Sequence, residues 1–188
     1  MRALLEACHR PLAPRPERYR VGELIAHCQR EVPALEDALW AIALEHERRA
    51  LTDAVLEPGA REAVAGARAA GWRTALWTNN AREVTLALLE RFALAAALDL
   101  VVTRNDMKAL KPDPDGWRVI AERFGPCHAV VIGDSWVDGL AAAAAGVPFL
   151  AYRPRSEELA RWEVRPLATL HDLAALPGWL AQWPGPRT

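Results

Sequence analysis

A chain of 188 residues, 52% hydrophobic and 25% charged, is long enough to bury a core and too apolar to stay an unfolded polymer. Its formal net charge of -1 excludes the basic surface that coats nucleic acid and points to no charged partner. The cysteines Cys8, Cys28 and Cys127 form no Cys-x-x-Cys pair; they suit a reducing cytosol and read as buried thiols.

The start of the chain mixes Arg2, Glu6, His9 and Arg10 with leucines and alanines. That is not the unbroken apolar stretch of a signal peptide, so no export is expected. The longest apolar stretch, 140–152, runs for about a dozen residues with glycine and proline inside it, short of the roughly 20 that span a bilayer. A soluble, cytoplasmic protein is the expectation.

From residue 2 to about 55 the periodicity is helical, interrupted by a proline-rich loop over 11–16 and by Pro33, which opens a helix over 34–50. Residues 1–54 read as a small helical module. At Glu57 the pattern changes: Pro58-Gly59 is a turn, 60–70 a helix, Gly71 its stop, and 74–78 a short buried strand. The alternation recurs as helix 82–92, strand 99–103, helix 115–124, strand 129–132, helix 137–145 and strand 148–152. This order predicts an α/β core over 55–154, a Rossmann-like parallel sheet that gathers ligands at the carboxyl ends of its strands. Residues 155–188 read as a tail with weak helices near 157–162 and 170–175.

Three strand ends carry candidate chemistry. After the first comes Thr78-Asn79-Asn80, a hydroxyl followed by backbone N–H groups at a helix start, an arrangement that binds an oxyanion or merely caps the helix. After the second, Lys111 lies among the prolines of Lys111-Pro112-Asp113-Pro114, where a lysine neutralises phosphate or is simply solvated. Asp115 there is placed to cap the next helix. The third end, Ile132-Gly133-Asp134-Ser135-Trp136-Val137-Asp138, sets two carboxylates one helical turn apart. Such a pair calls for a cation, and hard oxygen donors with no His-Cys set favour Mg2+ over zinc.

Taken together, Glu57-Pro58-Gly59, then Thr78-Asn79, Lys111-Pro112, Gly133-Asp134-Ser135-x-x-Asp138 and Ala145-Gly146-Val147-Pro148 resemble motifs two to four of the haloacid dehalogenase (HAD)-like hydrolases, in order and spacing. The resemblance covers about 55–152 and is nearest the phosphoglycolate-phosphatase-like branch, with 1–54 similar to its small helical cap. It implies a magnesium phosphatase acting on a small phosphorylated metabolite. Thr78 and the Asn79 amide would bind the transferring phosphoryl group, Lys111 would balance its charge, Asp134 would bind Mg2+, and Asp138 would support the metal or Lys111.

The chain departs from the family at its start. Members open with an apolar strand ending in Asp-x-Asp, the nucleophile and the general acid-base, and no such segment stands before the cap-like helices. The expectation is therefore a truncated or wrongly started frame that lacks the nucleophile, inactive as written and fragile because its central strand is missing. The alternative is a non-catalytic binding or interaction module in which the sheet closes over the gap. A remoter alternative takes Gly133-Asp134-Ser135 as the block of a GDSL-type esterase with Ser135 as nucleophile, although the tail offers only His171-Asp172 as partners. No dinucleotide-binding glycine loop or Walker loop occurs, and the histidines show no metal-ligand spacing.

Overall fold

A computed structural model of the chain describes residues 1–10, 12–13 and 19–183; the proline-rich loop expected over 11–16 lies largely outside them. The chain divides into two compact units, Met1–Ala54 and Val55–Thr188.

Among the described residues the first unit holds the helices α1 (Arg2–Ala7), α2 (Val21–Glu31) and α3 (Glu36–Asp53). Glu23 opens α2 by accepting the Arg20 backbone N–H at 2.8 Å, the back-bond of a capping box. Leu24, Ile25 and Cys28 lie on one face of that helix and close against Leu5, Leu12 and Leu39 as a buried cluster. Pro33 starts a short 3-10 turn, Pro33–Leu35, so α3 begins after the turn instead of at 34.

The second unit alternates as expected. Its helices are α4 (Ala60–Ala69), α5 (Arg82–Arg91), α6 (Asp115–Phe124), α7 (Trp136–Ala144), α8 (Ser156–Arg161) and α9 (Leu176–Gln182), and its strands are β1 (Ala75–Trp77), β2 (Leu100–Val102), β3 (Val131–Gly133), β4 (Phe149–Tyr152) and β5 (Ala168–Leu170). Gly71 stops α4 because its φ of +84° lies in the left-handed region, where only glycine is unstrained. The short strand β5 is absent from the sequence reading of the tail; its three residues, Ala168-Thr169-Leu170, are too few to show a period.

All pairings are parallel, but they form two ladders, β1-β2 and β3-β4-β5. Among the described residues β1 and β3 are thus each an edge of their ladder, and no ladder joins them. β4 sits between two neighbours and is wholly buried. Leu150 and Leu170 pack with Ala63, Ala67, Leu176 and Leu180 of α4 and α9 on one side, while Phe149 and Ala151 meet Trp136, Val137 and Ala142 of α7 on the other.

Two local readings need correction. Only Cys28 is buried; Cys8, just past α1, and Cys127, in the loop before β3, are exposed. Asp115 does not cap α6, whose N-cap is Pro114; its carboxylate turns back to accept the Lys108 N–H at 2.5 Å and pairs with Arg118 at 2.9 Å. That Lys108 bond leads in holding the Asp115 carboxyl below its usual range, with burial opposing it and the Arg118 charge assisting. No helix among the described residues is long and apolar enough to cross a membrane.

Candidate functional site

The site is assembled where β1 and β3 end. Thr78 leaves β1 with its N–H still donating to the Val102 carbonyl at 2.9 Å, and its hydroxyl oxygen accepts the Asn80 N–H at 3.2 Å. Neither Thr78 nor Asn79 caps α5, which starts from Ala81. Asn79 instead reaches across to the next loop: its Oδ1 accepts the Lys111 N–H at 2.9 Å, and its Nδ2 donates to the Lys111 carbonyl at 3.0 Å. Both backbone groups of Lys111 are thereby fixed to the end of β1.

So held, the lysine side chain points inward. Its Nζ donates to the Trp77 carbonyl at 2.8 Å and to Asp138 Oδ1 at 2.5 Å, and lies 5.3 Å from the centroid of the Trp77 ring. Both partners of the ion pair are only 11% exposed, which removes most of the solvent screening that weakens surface pairs. The loop behind Lys111 is braced by Asp115, and by Asp113 Oδ1 accepting the Asp115 N–H at 2.9 Å.

Asp138 owes its position to local helix chemistry. It is the third residue of α7, and its Oδ2 accepts the Ser135 N–H at 3.2 Å while Ser135 Oγ accepts the Val137 N–H at 3.4 Å, a reciprocal capping box. Gly133 makes room for this: a Cβ there would lie 2.6 Å from Asp138 Cβ. Ser135 is therefore the N-cap of α7.

Asp134 is exposed and makes no hydrogen bond or ion pair among the described residues. With Lys111 paired to Asp138, Asp134 stays unpaired among the described residues. An exposed, unpaired carboxylate suits Mg2+, which keeps several waters and takes one or two carboxylates with phosphate oxygens. Among the described residues no group of three His, Cys, Asp or Glu side chains is gathered to cage a metal. The donor set fits a partly hydrated Mg2+ and not a tetrahedral zinc centre.

Asn79, Lys111 and Asp138 are thus bonded into one group, with Thr78 next in the chain to Asn79 and Asp134 between Gly133 and Ser135. Ser135 has no histidine bonded to it among the described residues, and His171 meets Arg153 through its backbone carbonyl, 2.7 Å from Nε. The sequence reading did not anticipate Trp77. Its contribution is a backbone carbonyl and an indole, whose Nε1–H donates to Met107 Sδ at 3.1 Å, and no sequence pattern signals a carbonyl.

Beneath the site runs a cleft of about 530 Å³, lined by Ala75–Trp77 of β1 and Val130–Ile132 at β3, with Ala63, Ala67, Ile120 and Leu180 among the apolar side chains and Lys111 and Asp138 at its mouth.

Comparison with known proteins places these features. The family model for haloacid dehalogenase-like hydrolases matches residues 12–146. A phosphoglycolate phosphatase of Rhodobacter capsulatus is 28% identical over 149 residues, 79% of this chain and 68% of that protein. One from Nitrosospira multiformis is 38% identical over 103 residues, covering 54% of this chain and 45% of its own length, so the chain spans about half to two thirds of these relatives. A solved structure of a HAD-superfamily hydrolase, subfamily IA, from Geobacter sulfurreducens superposes with a TM-score of 0.61 at 25% identity, over 95% of this chain and 85% of that one.

Proposed function

The chain belongs to the haloacid dehalogenase-like hydrolase family, and from that premise we propose that it carries the phosphate- and cation-binding part of a phosphatase acting on a small phosphorylated metabolite. The observation that supports this most is the clamp on Lys111: Asn79 fixes its backbone, while Trp77 and Asp138 fix its ammonium beside Thr78. A lysine held so firmly is preorganised charge, which phosphoryl transfer rewards because it needs little else from the protein.

In this reading the Thr78 hydroxyl, whose oxygen already accepts from Asn80, donates its proton to a phosphoryl oxygen, and the Asn79 backbone N–H donates beside it. The Asn79 carboxamide is committed to Lys111 and takes no part in binding. Lys111 has a third N–H left after Trp77 and Asp138, and directs it to the anion. Asp138 holds Lys111 in place, and Asp134 holds the cation. Bound Mg2+ supplies the divalent charge that offsets the phosphoryl oxygens. A soluble, cytoplasmic setting is part of the same reading, and the names of the relatives make phosphoglycolate the first substrate to test.

The nucleophile is not among these residues. Asp138 is engaged at both oxygens, and Asp134 is assigned to the cation. On its own the 188-residue chain binds and does not turn over; catalysis needs an Asp-x-Asp strand. The test is phosphate release from p-nitrophenyl phosphate and phosphoglycolate with Mg2+, comparing this chain with a version extended by such a strand. Activity is expected in the extended form alone, and to vanish there with Asp134→Ala. Turnover by the short form that is lost with the same substitution overturns the account of the nucleophile.

A further inference from the structure

Trp77 gives Lys111 more than a carbonyl. The lysine ammonium stands over the indole, 5.3 Å from the ring centroid, on a side chain only 11% exposed. A cation is drawn to the negative face of an aromatic ring, most strongly where water is largely excluded. Two residues from other elements seat that ring. Its Nε1–H donates to Met107 Sδ at 3.1 Å, using the weak acceptor that a thioether provides. Gly116, buried in the first turn of α6, leaves the space: a Cβ there would lie 2.0 Å from Trp77 Nε1, 2.6 Å from Trp77 Cδ1 and 2.5 Å from Met107 Sδ. Alanine suits a helix better than glycine, so Gly116 serves the indole and not α6.

A side chain that only filled the gap between β1 and α6 has no reason to turn its face to a charge, and this one does. The Trp77 carbonyl and Asp138 Oδ1 take two N–H groups of Lys111, at 2.8 and 2.5 Å, and the indole closes a further side of the ammonium. We infer that the Trp77 indole is a positioning residue for Lys111. It touches no ligand and acts through the lysine, holding the ammonium so that its remaining N–H stays aimed at the anion. Without the ring face the long lysine side chain regains rotamer freedom, and binding an anion has to order it again. The part that concerns the anion rests on the phosphatase reading; the seat of the lysine does not.

The chain has only two lysines, Lys108 and Lys111, so isotope-labelled lysine gives two sets of side-chain NMR signals, and Lys111→Met identifies which is which. An aromatic face shields what lies over it. The Lys111 ε-CH2 signal is therefore expected upfield of that of exposed Lys108, to fall back in Trp77→Leu and in Gly116→Ala, and to keep most of its displacement in Trp77→Phe. The second readout is the affinity of the 188-residue chain for inorganic phosphate with Mg2+. It is expected to weaken about tenfold in Trp77→Leu and in Gly116→Ala, and no more than about threefold in Trp77→Phe. In the Lys111→Met background Trp77→Leu is expected to change it by less than about twofold, because the ring then has no lysine to act through. A Lys111 signal that none of these substitutions moves overturns the inference. So does an equal weakening with and without Lys111, which is what an indole of structural importance alone would give. Should Trp77→Leu not fold, Gly116→Ala, which keeps every atom of the ring, decides by the same readouts. Phosphate binding that Trp77→Leu leaves unchanged removes the seat and keeps the phosphatase reading. A Lys111 signal that moves as expected, in a parent that binds no phosphate and an extended chain that releases none, keeps the seat and removes the phosphatase.

Discussion

β3 and β4 are neighbours in one ladder and equally apolar, yet they live differently. Phe149–Tyr152 is bonded on both edges and buried throughout, whereas Val131–Gly133 has one bonded edge and leaves Ile132 at 36% exposure. Composition does not distinguish them; the count of neighbours does. An apolar strand owes its burial to what lies beside it, and β3, like β1, is paired on one edge only among the described residues.

Paired substitutions turn that contrast into a measurement. Leu150→Ala removes a side chain that is 0% exposed and is expected to cost about 4 kcal/mol in urea unfolding, within the range for a cavity in a core. Ile132→Ala is expected to cost under about 1 kcal/mol, since much of that side chain already meets water. Equal losses would break the comparison.

Next in size is the ion pair at the mouth of the cleft. Lys111→Met leaves Asp138 buried without its cation, and unfolding is expected to show a loss of about 3 kcal/mol, the low end for breaking a buried pair because one face meets solvent. The double variant Lys111→Met with Asp138→Leu is expected to recover most of it, as apolar replacement of a whole buried pair usually does. Failure to recover would assign the loss to the loop that Asn79 holds.

The smallest effect lies at the far end of β1. Asp99 accepts the Thr74 N–H at 2.7 Å, which together with Arg68 draws its carboxyl from 3.8 down to about 2. A carboxyl lowered on folding stabilises above its unfolded value, and that stabilisation is lost as pH falls through the folded one. Asp99→Asn is accordingly expected to melt lower than the parent at neutral pH, with the difference closing between pH 3.8 and about 2. A difference that persists at pH 2 would show that the bond to Thr74, and not the charge, is what counts.

Much of this was readable in the residues. Gly71, the run 74–78 and the 115–124 helix announce themselves by stops, β-branching and period, and the structure follows them to within a residue or two. The meeting of Lys111 with Asp138 follows from strand ends in a parallel sheet sharing one side. What was not legible is made by the backbone: the carbonyl of Trp77 that holds Lys111, the short strand β5, and Asn79 serving Lys111 instead of a helix start. Asp115 looked like a cap because aspartate before a helix often is one, but the Lys108 N–H was the nearer donor. Nor does the division of the described strands into two ladders, β1-β2 and β3-β4-β5, leave a mark on the residues of β1 or β3.

The Asn79 carboxamide is used from both ends, its oxygen accepting from the N–H and its nitrogen donating to the carbonyl of one and the same residue, Lys111. Hydrolytic ageing of that amide to a carboxylate would hardly change its shape, but would set a second acceptor against the Lys111 carbonyl. Asn79 is followed by Asn80, and asparagine is among the thermolabile residues. A stored sample can therefore lose the grip on its lysine while its fold, mass and helix content look all but untouched.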